Sequence, residues 1–273
     1  QADLDLKWYL QVSAERIHQT FDNGDADLDT LTFTPAMTLG DFSLTATVPW
    51  QHIDGTYFVN TVYPALVNAC AWLNSLSNLR KLSLIRQGKL TLEQVQYCNG
   101  NAGVESATLD DSVEGAGDIE LFANYFLPPL SGYASASLGL GYKFDNGDWE
   151  TGLGSGTRDL FTEAALLLQG ERLHLLLTLA YDRIEANATG LDLNDYGYAS
   201  IDAGWQCLDA LTLGLEYHYQ QAMTDLIGDL DYFTGYGDLQ LGKHWTMRLF
   251  VTDYRGAEGY PEEEIGARLS WQF

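Results

Sequence analysis

Ile265-Gly-Ala267-Arg-Leu269-Ser-Trp271-Gln-Phe273 closes the 273-residue chain with an apolar side chain at every second position and an aromatic one at the end. The residues between them, Gly266, Arg268, Ser270 and Gln272, are small or polar. Successive side chains of a β-strand point to opposite sides, so this stretch carries one apolar face and one small or polar face. A strand of this kind ending in Phe273, with Leu269 and Trp271 on the same face, resembles the signal that outer-membrane barrels present to their assembly machinery.

Working back from that strand, the same alternation returns. His244–Thr252 sets Trp245, Met247, Leu249 and Val251 against Thr246, Arg248 and Thr252. Leu211–Tyr219 sets Leu213, Leu215 and Tyr217 against Thr212, Gly214, Glu216 and His218. Leu173–Tyr181 and Phe42–Trp50 follow suit. Further segments begin near Leu6, Leu31, Ile119, Ala134, Leu160, Ala199 and Phe233, for about twelve strands in all.

The connections sort themselves. Leu39–Asp41, Pro128–Gly132, Gln169–Arg172, Leu208–Ala210 and Gly242–His244 are short. Between them fall Asp22–Thr30, Gln51–Gly117, Asp145–Arg158, Glu185–Asp195, Ala222–Asp231 and Asp253–Glu263, which are long. Short turns at one end and long loops at the other are the habit of a transmembrane barrel. The expected fold is therefore all-β: an antiparallel up-and-down transmembrane barrel of about twelve strands, occupying residues 1–273 as one domain in the bacterial outer membrane. A closed barrel pairs every backbone group internally, as lipid requires.

Composition agrees. The chain carries 38 acidic and 14 basic residues, a net charge of −24, which argues against nucleic acid as a partner. Aromatic residues make up 12%, with 16 Tyr and 7 Trp, and there are 27 Gly. These suit interfacial girdles and tight turns, although a secreted β-sandwich shares such a composition. No apolar run approaches the ~20 residues of a membrane-spanning helix, and Gln1 opens without the basic and apolar regions of a signal peptide, as expected of a mature or trimmed chain.

The stretch from Gln51 to Gly117 breaks the strand rhythm. Tyr63, Leu66, Val67, Ala71, Leu73 and Leu76 follow helical spacing, and Thr91-Leu-Glu-Gln94 reads as a capping box. The expectation is a helical hairpin in a loop on the extracellular side, closed by a Cys70–Cys98 disulfide in an oxidising compartment. Arg80, Lys81, Arg86 and Lys89 give it basic character. It either folds into the lumen as a plug and gate or caps the mouth. Cys207 is expected to stay unpaired.

The strand faces predict an inner set: Glu15, Glu120, Glu163, Glu216, Asp238, His174, His218, Arg248 and Arg268. Phe122, Phe161 and Phe250 are the apolar inward candidates, and the small outward residues Ala134 and Ala136 could meet another subunit. No catalytic constellation appears: G-x-S-x-G is absent, and no Ser sits beside a His on the lipid face. No cofactor is expected, and no metal site, although the acidic loops around Asp110-Asp111 and 225–231 could bind Ca²⁺.

One stretch carries a resemblance. Gly115-Ala-Gly-Asp-Ile-Glu-Leu-Phe-Ala-Asn-Tyr125, Leu138-Gly-Leu-Gly-Tyr-Lys-Phe144, Asn146-Gly-Asp148 and Gly152-Leu-Gly-Ser-Gly-Thr-Arg-Asp159 follow in order. Together they resemble the outer-membrane family named after the meta-pathway of phenol degradation. Within that neighbourhood the chain is similar to the Fap-type channels that export functional-amyloid subunits, in their barrel domain only. That resemblance implies a plugged homotrimer with unfolded amyloid polypeptide as cargo, for which the Ser-, Thr- and Gly-rich inner face is suitable. Uptake of small aromatic or apolar compounds and a non-conducting anchor or adhesin are the alternatives.

Overall fold

The computed structural model describes residues 6–21, 24–55, 112–148, 153–187, 193–223, 228–255 and 261–273. They form β1 (Leu6–Phe21), β2 (Gly24–Leu39), β3 (Phe42–Gly55), β4 (Val113–Ala116), β5 (Glu120–Phe126), β6 (Ala134–Lys143) and β7 (Thr157–Gln169). The second half comprises β8 (Leu173–Asn187), β9 (Tyr196–Leu208), β10 (Leu211–Gln220), β11 (Leu230–Gln240), β12 (Trp245–Arg255) and β13 (Glu263–Gln272). Every neighbouring pair is antiparallel, and β1 pairs with both β2 and β13, so the sheet closes on itself. Closure removes the free edges that an open sheet would expose. β4 and β5 both lie against β3, Trp50 opposite Ala116 and Thr47 opposite Glu120. They are two halves of one stave interrupted at 117–119, which makes a twelve-stranded barrel from thirteen segments.

The alternation seen in the sequence sets the two faces. Leu179, Leu213, Leu215, Leu249, Val251, Ile265 and Leu269 are exposed on the outer surface. Arg268, Glu15, Arg248 and Asp238 occupy the opposite parity and pair with each other inside. Aromatic side chains flank the outer belt. On β3, Phe42 and Trp50 are both exposed. A rise of about 3.3 Å per residue and a tilt of about 40° place them about 20 Å apart along the barrel axis, close to the ~25 Å apolar band of a membrane barrel. Trp245 and Trp271 approach within 6.2 Å, and Trp271 and Phe273 within 5.4 Å, at the short-turn end. The terminal Phe273 is exposed and exchanges backbone hydrogen bonds with Leu10.

The short connections fall where the sequence puts them. Gly40, with φ of 58°, makes the two-residue turn between β2 and β3 in a conformation that side-chain-bearing residues disfavour.

Two expectations at the long-loop end need correction. Asp22–Thr30 is not a loop: β1 and β2 stay paired out to Phe21 opposite Gly24. The interruption expected over 51–117 is also strand at both ends, because β3 runs to Gly55 and Val113–Ala116 return as β4. The cause is an inversion of the pattern. Above the lipid belt the outer face carries Arg16, His18, Asp27 and Asp29, joined by ion pairs, while the inner face carries Ala26 and Leu28, 1% and 8% exposed. A strand in water buries apolar residues inward, as a soluble barrel does. The helical hairpin, with Cys70, Cys98, Arg80, Lys81, Arg86 and Lys89, lies outside the described residues.

Candidate functional site

The interior wall is the site, and its side chains are set by strand register. Nearest the short turns, Arg248 on β12 donates from Nε and Nη2 to the two carboxylate oxygens of Asp238 on β11, both at 2.7 Å. Its guanidinium lies 4.1 Å over the Tyr236 ring. Tyr236 donates to Asp202 at 3.0 Å, and His174 sits 3.1 Å from the same carboxylate oxygen. Arg268 pairs with Glu15 across β13 and β1 at 2.7 Å. A two-pronged Arg–carboxylate contact fixes direction as well as charge.

Further along the wall, four strands in a row present rings. Tyr198 and His218 stack at 5.3 Å, His218 and Tyr232 at 4.6 Å, and Tyr232 and Tyr254 lie at 5.1 Å. Tyr198 donates to Glu163 at 3.5 Å. On the far side Phe122 and Phe161 stack at 5.8 Å. Several rings lie flat over glycines of the neighbouring strand: Phe122 over Gly139, Phe161 over Gly141, His174 over Gly204, Tyr236 over Gly214 and Phe250 over Gly266. A Cβ at any of the five would overlap the ring above it. Glycine serves here for room, not for backbone freedom.

Toward the long loops, Lys143 pairs with the buried Asp159, which also accepts from Thr157 at 3.1 Å. Asp182 accepts from Tyr196 at 3.0 Å. Gln19 donates to Glu264 from the adjoining wall.

All of the lining residues expected from alternation lie on inward parity: Glu15, Glu120, Glu163, Glu216, His218, Asp238, Arg248 and Arg268. Four of them are bound into pairs, Arg248 with Asp238 and Arg268 with Glu15. Sequence reading passed over four inward carboxylates, Asp159, Asp182, Asp202 and Glu264. Counting by twos reaches Asp159 from Glu163 and Glu264 from Arg268, while Asp182 lies opposite Phe161 and Asp202 opposite Glu216. Among the described residues, the inward Lys143, Arg248 and Arg268 are each held in an ion pair. Lys7 stands at the short-turn rim.

The Gly-rich motifs turn out to build a clasp. Asp118, in the break between β4 and β5, accepts from the backbone of Asn146 (3.2 Å), Gly147 (2.8 Å) and Ser155 (2.7 Å), and from the Ser155 hydroxyl (2.7 Å). Asn146 returns the contact, accepting from the Ile119 amide at 2.9 Å and donating to the Gly117 carbonyl at 3.0 Å. Gly115, Gly147 and Gly154 leave room for this crossing; a Cβ on Gly115 would come within 2.7 Å of Leu153. The clasp brings Leu153, from the connection between β6 and β7, into an apolar cluster with Leu28 and Ile53, flanked by Ile17 and Val113. All four wall residues face inward, so this loop narrows the long-loop mouth.

No known protein family matches the chain, and no curated protein matches its sequence. Solved structures do match. An outer-membrane channel from Pseudomonas putida F1 superposes over 100% of this chain and 99% of its own, with a TM-score of 0.63 at 10% identity. The fold is that of an outer-membrane β-barrel. The KdgM porin, solved with disordered oligogalacturonate, matches over 96% of this chain and 98% of its own, with a TM-score of 0.51 at 10% identity. At these identities the barrel architecture is what is shared, and the resemblance to the meta-pathway family rests on the motifs that form the clasp.

Proposed function

We propose that this outer-membrane barrel is a channel of the bacterial outer membrane that passes small polar solutes. The observation that carries it is the polar, hydrogen-bonded inner wall enclosed by an apolar outer belt. Residues that served only to hold a barrel shut would bury less desolvated charge. The solved barrels of like architecture include a channel and a porin, which supports the same reading.

Export of unfolded amyloid subunits, implied by the resemblance, asks for a wide lumen with few apolar traps. The stacked Phe122 and Phe161 and the ring ladder from Tyr198 to Tyr254 favour a small solute over a polypeptide. Oligogalacturonate, bound by KdgM, is a polyanion, and a wall rich in carboxylates disfavours it.

Liposome swelling with neutral sugars of graded size tests this. Swelling that falls off as the sugar grows is expected. Liposomes that stay unswollen with the smallest sugar, while the barrel is folded, would leave an anchor as the better reading.

A further inference from the structure

Phe122 and Phe161 are laid on the inner wall as a pair of tiles. Beneath them, Gly139 and Gly141 are successive inward positions of β6. A Cβ on Gly139 would lie 2.1 Å from Phe122 Cζ, and one on Gly141 would lie 2.0 Å from Phe161 Cζ. Both rings therefore sit at the same height above one strand, side by side. Their planes differ by 9° and their centres are 5.8 Å apart. Each ring covers glycine with one face and turns the other to the lumen, so neither hides its neighbour.

Polar groups frame the tiles. Inward positions recur every second residue, so Glu120 and Asn124 flank Phe122 along β5, and Asp159 and Glu163 flank Phe161 along β7. Thr45 pairs across from Phe122, and Asp182 across from Phe161. Asp159 is taken up by Lys143 and Asp182 accepts from Tyr196, whereas Thr45, Glu120 and Glu163 are half-buried at the edge of the floor.

A flat apolar floor with a polar frame suits a solute of the same build, apolar on its faces and hydroxylated at its edge. A wholly apolar solute would strip water from the frame without replacing its hydrogen bonds. An anion would meet Glu120 and Glu163. We infer that the tiles seat a neutral saccharide, one pyranose ring over each phenyl ring; this rests on the channel reading, which brings the solute into the lumen. The C–H bonds of a pyranose face point their partial positive charge at the negative face of a phenyl ring. Hydroxyls at the sugar's edge donate to Glu120 and Glu163, and bonds to a charged acceptor are the stronger kind. The 5.8 Å between ring centres is close to the spacing of neighbouring rings in a linked disaccharide.

The test titrates the full chain, in a detergent without a sugar head, with cellobiose, sorbitol and phenol, followed by saturation-transfer NMR. Sorbitol has the hydroxyls without a ring face, and phenol has one ring and one hydroxyl. Cellobiose is expected to bind at least about ten-fold more tightly than sorbitol, or about 1.4 kcal/mol, with saturation strongest at its ring C–H protons. Phe122→Leu and Phe161→Leu keep apolar bulk but lose the flat face, and each should weaken cellobiose by about as much. Phe161→Tyr keeps the face and should retain binding. Cellobiose bound no better than sorbitol, phenol bound more tightly than cellobiose, or cellobiose binding unchanged in both leucine variants would overturn the proposal. The comparison of solutes on the unaltered chain decides even where a variant fails to fold. Cellobiose bound without sugar-driven liposome swelling would sink the channel reading alone, and swelling without preference for cellobiose over sorbitol in binding would sink this one alone.

Discussion

Asp118 accepts four hydrogen bonds from a loop some thirty residues away in sequence, and that one side chain decides where Leu153 sits. Hydrogen bonds to a charged group are worth roughly 1.5–3 kcal/mol each and do not add simply. Asp118→Ala is expected to release the loop between β6 and β7, seen as faster proteolysis within 145–156 with the barrel intact; Ser155→Ala should do so less. Unchanged cleavage in both would show that the clasp does not hold the loop. Gly214→Ala meets the Tyr236 ring and should destabilise the barrel by about 1–3 kcal/mol, as overpacking does, read as a lower temperature for loss of folded electrophoretic mobility. At the long-loop surface, the Tyr219 hydroxyl and the Ala222 amide donate to Asp229 at 2.7 and 2.9 Å and hold its carboxyl below the ordinary value of 3.8. A depressed carboxyl contributes above its unfolded value and loses that contribution as pH falls through its folded one. Amide exchange at Ala222, corrected for intrinsic rate, should stay flat down to pH near 4 and rise below it; a rise centred above 5 would contradict the assignment. The motif residues Gly115, Asp118 and Ser155 were legible as a motif. Their joint role was not, because hydrogen bonds spanning some thirty residues leave no local period.

At the scale of the element, β2 shows what alternation does and does not tell. Leu31, Phe33 and their neighbours carry apolar residues outward, and the strand was legible there. From Asp25 to Thr30 the parity persists while the chemistry reverses, with Asp27 and Asp29 outside and Ala26 and Leu28 inside. A search for outward apolar residues stops where the lipid stops, although the strand continues into water. The same limit cut β3 short at Gln51 and hid β4. Leu28→Asn should then cost about 2–4 kcal/mol, as a polar group enters a buried apolar cluster, while Asp27→Leu on the outer face changes stability little. Chemical unfolding of the two variants in detergent checks this, and equal losses would contradict the inversion. By contrast, the short turns and the outer belt were legible throughout, since period-two spacing survives every tertiary contact inside the barrel.

Among the described residues, the closed wall carries more inward carboxylates than the paired Lys143, Arg248 and Arg268 cancel. A low-dielectric ring around a narrow lumen concentrates that field. The sequence made the acidic lining legible through Glu15, Glu120, Glu163, Glu216 and Asp238. Which carboxylate each arginine meets follows from register, Asp238 directly beside Arg248 and Glu15 directly beside Arg268. The most direct measurement is the reversal potential of the full chain in a planar bilayer across a potassium chloride gradient. A water-filled passage with this lining predicts discrete single-channel steps and a potential of the sign set by potassium, shifting toward zero in Glu163→Gln and Glu216→Gln. Steps with the sign set by chloride, or a bilayer that stays silent with folded protein inserted, would contradict the account.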